Sequence, residues 1–315
     1  MKFLFMFIFF YFFPQFAVAS SSKESITLPL NNWASQRVLS YVIGDLIEQQ
    51  FNHTVNYQEI GAYDQWGALR KGIVHIQIEV WQQSMGAEFS RMLAQQHIHD
   101  LGSHSAVVRE EWWYPDYVEQ KCAGLPNWQA LNECAYLFSE LPLSGKGTYY
   151  TGPWEYHDAD LIRALDLDFT IERLSNEKAL WRKLQKSVEK KRAIMLLNWS
   201  PNWTDVRMKG KFVEFPRFEK GCESNPSWGL NPNLVHDCGN LKQGWLKKVA
   251  WPGLQSRWPC VYQFISRVDF SKEMIAEASA LVIADKFDER QAAKIWLEKY
   301  SQQVSDWLNI QCIAN

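Results

Sequence analysis

"IVHIQIEVW", residues 73–81, is a run of branched apolar residues of strand length that ends on a tryptophan. Its β-branched enrichment reads as a buried strand. The elements around it follow the same plan. "SITLPL" (25–30) is extended, and "ASQRVLSYVIGDLIEQQF" then places Val38, Leu39, Val42, Leu46 and Ile47 at helical spacing. "TVNYQEI" alternates as a strand and "DQWGALRKG" is a short helix closed by glycine. Further on, "SAVVRE" and "AIMLLNW" read as buried strands, and the amphipathic "NEKALWRKLQKSVEKKR" feeds the second of them. The tail from Ser271 to Leu308 reads as two helical runs. Alternation of this kind predicts an α/β fold with largely parallel sheets. One sheet would be large for a chain of this length, so two lobes are expected.

In open parallel sheets, ligands bind beyond the carboxyl ends of strands. Trp33 follows the first strand, Trp81 ends "IVHIQIEVW", Trp112 and Trp113 follow "SAVVREE", and Trp199 ends "AIMLLNW". Trp154 lies in the Gly-Pro loop "YTGPWEYHD" just before a helix. Trp181 and Trp296 fall instead on apolar helical stripes and read as core. Sixteen tryptophans in 315 residues is an outlying count. Indole combines a large apolar face, a π quadrupole and one N–H donor, and it recurs at binding surfaces. Several indoles at strand exits predict a shared cleft.

The net charge of −2 offers no basic face, so nucleic acid is not an expected partner. At the N-terminus, Lys2, the apolar run Phe3 to Phe13 and the small-x-small Ala17-Val18-Ala19 read as an export signal over residues 1–19. No cysteine follows it to carry a lipid anchor, so a periplasmic protein starting near Ser20 is expected. Six cysteines allow fifteen pairings, and sequence alone does not choose among them. Locality favours Cys122–Cys134 and Cys222–Cys238, leaving Cys260–Cys312. No C-x-x-C pair suggests zinc, and disulfides suit an oxidising compartment.

With "NNWASQ", "IEVWQQS", "EEWWYPDYV", "CAGLPNWQALNECAYLF", "NWSPNW" and "PSWGLNPNLVHDCG" in this order, the chain resembles the glycine betaine/choline type of substrate-binding protein of ABC importers. The resemblance implies a two-lobed periplasmic-binding-protein fold, type II-like, with the ligand cleft between the lobes. Residues 20–105 plus 212–315 would form lobe 1, and 106–211 lobe 2. It also implies an aromatic box of Trp33, Trp81, Trp154 and Trp199 around a quaternary or trimethylated nitrogen, two indoles from each lobe. The physics suits such a ligand: a trimethylammonium head donates no hydrogen bonds, whereas indole faces are worth roughly 0.5–2 kcal/mol per ring to a desolvated cation.

Glu110 and Glu111 sit where a strand enters the cleft. Neighbours on an extended chain point to opposite faces, so one of them reaches the ligand. The resemblance favours Glu111, with Glu110, Trp113 and Asn202 as secondary candidates. Asn202 stands where many relatives have histidine, which puts a betaine-style carboxylate contact there in doubt. Glycine betaine, choline and trimethylamine N-oxide all remain open as ligands. The expected partners are that amine and an inner-membrane ABC permease, with the protein acting as a monomer and needing no cofactor or metal.

Two other classes compete. Adjacent glutamates do not set two carboxyls facing each other roughly 5–9 Å apart across a glycosidic bond. No G-x-S-x-G elbow, Walker loop or H-E-x-x-H occurs either, so an enzyme is not expected. A sugar-binding protein of the same fold could also stack on tryptophan, but Asn32, Asn202 and Asp205 are the only polar candidates near the box. "HIHDLGSH" brings His97, His99 and His104 together and reads as a solvated loop rather than a metal site.

Overall fold

The computed structural model describes residues 24–140, 145–154 and 156–312. The expected export signal, residues 1–19, lies outside them. The chain opens with β1 (Ile26–Leu30), α1 (Ala34–Phe51), β2 (Val55–Glu59), α2 (Gln65–Lys71), β3 (Ile76–Trp81) and α3 (Gln82–Ala94). A long strand, β4 (His99–Pro115), leads into α4 (Ala130–Glu133), β5 (Gly147–Thr151), α5 (Asp158–Ala164), β6 (Phe169–Arg173) and α6 (Glu177–Glu189). Then come β7 (Met195–Ser200), α7 (Trp203–Arg207) and β8 (Gly210–Phe212). The return runs through β9 (Gly244–Ala250), α8 (Leu254–Arg257), α9 (Pro259–Arg267), α10 (Lys272–Ile283), α11 (Glu289–Lys299) and α12 (Ser301–Leu308).

Local sequence explains the principal helices. Val38, Leu39, Val42, Ile43, Leu46 and Ile47 form the buried stripe of α1, which ends where Asn52 takes a left-handed conformation (φ 53°). On α6 the side chain of Asn176 caps Ala179 N, and Leu180, Trp181 and Leu184 face the core. The tail is three helices rather than two, because the chain bends at Tyr300 between α11 and α12.

β1 and β2 pair in parallel. A second sheet runs β3-β9-β4-β7-β5-β6, with β8 also on β4. It is mixed, not largely parallel: β9 is antiparallel to both β3 and β4, and β7 is antiparallel to β4, while β5 is parallel to β6 and β7. β4 belongs to both lobes. Its residues 99–108 pair with β9, and 109–113 pair with β7.

The segment after β8 stays with the second lobe instead of returning at residue 212. Val213 N donates to Trp112 O (2.8 Å), Phe215 packs edge-on to Trp112, and Asn231 Nδ2 donates to Ala164 O (2.9 Å). By these contacts that lobe reaches from Arg109 to about Asn240. Disulfides join Cys122 to Cys134, Cys222 to Cys238 and Cys260 to Cys312. No helix among the described residues is long and apolar enough to cross a membrane.

"HIHDLGSH" is not a solvated loop. From His99 on it is part of β4, and His104 is buried. Its Nε2 lies 2.9 Å from Ile78 O, and its Nδ1 accepts from Phe270 N at 3.0 Å. Burial holds that imidazole far below its usual pKa, at about 3, so it is a neutral core group.

Candidate functional site

Between the lobes, Trp33, Trp81, Trp154 and Trp199 converge with Ser84, Met85, Glu110 and Tyr156 on one small cavity. Each indole arrives from a strand exit. Trp33 follows β1 and precedes α1, Trp81 ends β3, Trp154 follows β5, and Trp199 is near the end of β7. In the second lobe Trp154 and Trp199 meet edge to face, 5.1 Å between centroids, and Trp181 of α6 supports Trp199 from behind at 5.3 Å. The indole N–H of Trp154 reaches across the cleft to Asn32 Oδ1 (3.2 Å).

The acid in this cavity is Glu110, not Glu111. In the antiparallel β4–β7 pair, Glu110 stands opposite Trp199 and Glu111 opposite Asn198. Directly opposed residues share a face, so the register puts Glu110 on the tryptophan side and Glu111 on the other. Glu110 accepts from Tyr156 Oη at 2.6 Å and from Ser84 N at 3.3 Å, the latter an orphan N–H in the first turn of α3. Burial raises its pKa above the usual carboxyl range, and those two donors pull it back.

Glu111 instead ties down the chain returning to the first lobe, accepting from Asn240 N at 2.8 Å. Gly239 passes so close that a Cβ there would lie 2.8 Å from its carboxylate. Burial pushes the Glu111 carboxyl up to about 7.

Two secondary candidates also lie outside the cavity. β4 continues through Trp112 and Trp113 to Pro115, making both indoles core residues. Trp112 stacks on Tyr149 at 4.0 Å, and Trp113 fills the space over Gly210, where any Cβ would collide with it. Asn202 is the N-cap of α7, its Oδ1 accepting from Trp203 N and from Ser279 Oγ of α10, both at 2.8 Å.

Sequence reasoning missed Ser84, Met85, Tyr156 and two buried acids beside the cage. Glu79 of β3 accepts from the indoles of Trp33 and Trp81. Its signal was an acid two residues before a tryptophan in an otherwise apolar strand. Glu177 of α6 accepts from Ala34 N (3.0 Å), the first residue of α1, whose own N-cap supplies no side chain. That carboxyl crosses from one lobe to the other, and burial pushes it up to about 8.

The buried acids make stability depend on pH. Glu79 and Glu111 near 7 and Glu177 near 8 all lie above the ordinary glutamate value of 4.5, so the folded protein binds more protons than the unfolded chain. That contribution is lost as pH rises through the folded values. His104 and His75, the latter held at about 4, are neutral in both states well above their ordinary 6.5. The melting temperature of the ligand-free protein is therefore expected to fall between pH 6.5 and 8, and differential scanning calorimetry would show it. A rise over that interval would contradict the burial of these acids.

Among the described residues, His157, Asp160 and His236 form a group whose donor atoms lie within 4.8 Å of one another. They stand outside the cage, and the two imidazoles stack nearly flat, 3.9 Å apart, rather than pointing at a common centre. Among the described residues, no histidine, arginine or lysine lines the cavity.

Residues 24–299 match the family model described as the substrate binding domain of ABC-type glycine betaine transport systems. The chain is 33% identical over 289 residues to the trimethylamine N-oxide-binding protein of Pelagibacter ubique, covering 89% of each. It is 25% identical to the glycine betaine/carnitine transport binding protein GbuC of Listeria monocytogenes, over 45% of this chain and 41% of that one.

Among solved structures, an ABC-transporter choline-binding protein in complex with choline superimposes with a TM-score of 0.67 at 14% identity, covering 90% of this chain and 91% of that one. Lactococcal OpuAC, closed on glycine betaine, gives 0.66 at 15% identity, covering 91% and 100%. These two show the shared fold. The chain belongs to the family of substrate-binding domains of ABC-type glycine betaine transport systems, extracytoplasmic binding proteins rather than enzymes.

Proposed function

We propose that this protein captures trimethylamine N-oxide between Trp33, Trp81, Trp154 and Trp199, with Glu110 meeting the oxygen, and delivers it in the periplasm to an inner-membrane ABC permease. The observation that carries the reading is the convergence of four indoles and one carboxyl on a single small cavity. Indole faces supply the negative quadrupole and apolar contact that a trimethylammonium group requires. A sugar would instead need several polar partners, and the cavity lining offers Glu110, Tyr156 and Ser84.

The choice among amines rests on the charge of the lining. With no cationic side chain among the described lining residues, the carboxylate of glycine betaine would meet Glu110 without a counter-charge. Trimethylamine N-oxide presents one acceptor oxygen. A protonated Glu110 can donate to it while still accepting from Tyr156, and the raised pKa of Glu110 favours that form. The relative from Pelagibacter ubique carries the same ligand in its name. Residues from both lobes build the cage, so closure completes it. The Trp154–Asn32 and Glu177–Ala34 contacts would hold the closed state.

Calorimetric titration with trimethylamine N-oxide, choline, glycine betaine, carnitine and maltose tests the reading. Trimethylamine N-oxide is expected to bind tightest and to weaken as pH rises and Glu110 ionises. Choline, a plain cation, is expected to strengthen over the same range. Tighter binding of choline would replace the oxygen-donor role of Glu110 by that of a counter-ion. Binding of maltose, with all the amines silent, would overturn the reading.

A further inference from the structure

Glu79 does not line the cavity, yet it holds half of its wall. It sits on β3 two residues before Trp81, on the same face of the strand, and is fully buried. Its Oε2 accepts from Trp33 Nε1 at 2.6 Å, Ser35 Oγ at 3.0 Å and Trp81 Nε1 at 3.2 Å, whereas Oε1 has no partner among the described residues. Three donors on one oxygen and none on the other is a poor arrangement for a buried acid kept only for stability. Burying a carboxyl is costly, and cores normally satisfy both of its oxygens. What it does achieve is geometric. One atom fixes the N–H edges of two indoles, from a loop and from a strand, and both indoles line the cavity.

The neighbouring polar groups support the same end. Gln77, one step earlier on that face of β3, accepts from Glu79 N at 2.9 Å, and its Nε2 donates to Asn31 Oδ1 at 2.6 Å. The backbone at Glu79 is thus tied through Gln77 to the loop at Asn31. An anion accepting from an indole N–H also polarises the ring, which makes its face more negative toward a cation. In the second lobe Trp154 and Trp199 brace each other directly, edge to face.

We propose that Glu79 is the positioning residue for the first-lobe half of the cage, orienting Trp33 and Trp81 before ligand arrives and strengthening their hold on its trimethylammonium group. This rests on the trimethylated-amine reading above, but its consequences can be separated from it. The test is calorimetric titration of the wild-type chain, E79Q and E79A with tetramethylammonium and with trimethylamine N-oxide. Melting temperatures and the indole N–H resonances of Trp33 and Trp81 are recorded alongside.

E79A is expected to weaken both ligands by about tenfold or more, since two buried N–H groups lose their acceptor. E79Q keeps an acceptor oxygen without the charge and is expected to recover part of that loss. Both substitutions should move the two indole resonances. In a W33F background, where one N–H is already absent, E79A should cost less than it does alone.

Wild-type affinity and unmoved resonances in E79Q would overturn the proposal, including in the case where E79A fails to fold. Equal costs of E79A with and without W33F would overturn positioning of Trp33. If the wild-type chain ignored both ammonium compounds, the ligand reading would fall, and moved or unmoved resonances would still decide what Glu79 orients.

Discussion

Trp199→Ala is expected to weaken binding of a trimethylated amine by roughly 30- to 100-fold. A desolvated cation–π contact is worth up to about 2 kcal/mol, and apolar contact with the methyl groups adds to it. Each 1.4 kcal/mol is about tenfold in affinity. Trp199 is also packed between Trp154 and Trp181. Truncation therefore lowers stability as well, by about 3–5 kcal/mol for a buried tryptophan. Titration of Trp199→Phe separates the two effects. It keeps a ring in place, and about tenfold weaker binding with a smaller loss of melting temperature is expected, because phenyl is a poorer partner for a cation than indole. Unchanged affinity in both variants would remove Trp199 from the site.

The second large contrast lies between neighbouring glutamates. Glu110→Ala is expected to cost trimethylamine N-oxide at least about tenfold in affinity, because the cavity loses its hydrogen-bonding carboxyl and Tyr156 and Ser84 lose their acceptor. Glu110→Gln, whose amide can still donate to the oxygen, is expected to bind within a few-fold of wild type and to lose the pH dependence. Glu111→Ala should leave affinity within about twofold yet lower stability by about 1–3 kcal/mol, since Asn240 N loses its acceptor. Calorimetric affinities and melting temperatures of the three variants decide it. The reverse pattern, with Glu111 controlling affinity, would mean that the β4–β7 register is wrong by one residue.

That contrast marks where the sequence stops being informative. Alternation along a strand requires that Glu110 and Glu111 face apart, and it cannot say which faces the cleft. The parity is set by pairing with β7, a contact between residues about ninety positions apart. Trp112 and Trp113 were misplaced for a related reason. The strand was expected to stop at the acids, but it runs on to Pro115 and carries both indoles into the core. Trp33, Trp81, Trp154 and Trp199 were named together by the family resemblance, and each stands at or near a strand exit. Asn202 had a visible alternative in its own sequence, since Asn202 and Asp205 form the capping box of α7. Glu79 was hidden because its acceptor role exists only once β1, α1 and β3 come together.

The alternation of strands and helices was equally legible, while the direction of the central strands was not. "SAVVRE" within β4 read as an ordinary buried strand, and only its partners β9 and β7 make it antiparallel. The segment after residue 212, closed by Cys222–Cys238, has no regular pattern of its own. Its place beside Trp112 and α5 is fixed by Phe215, Asn231 and His236.

The measurement that bears most directly on the cage is a pair of calorimetric titrations, choline against its neutral carbon isostere 3,3-dimethylbutan-1-ol. The two share a shape and a hydroxyl and differ in the charge of the methylated centre. Four indoles acting on a cation predict binding of choline at least about 100-fold tighter than the alcohol, since each desolvated ring is worth roughly 0.5–2 kcal/mol. Equal affinities would mean that the tryptophans form only an apolar pocket, and the assignment of a cationic ligand would be contradicted.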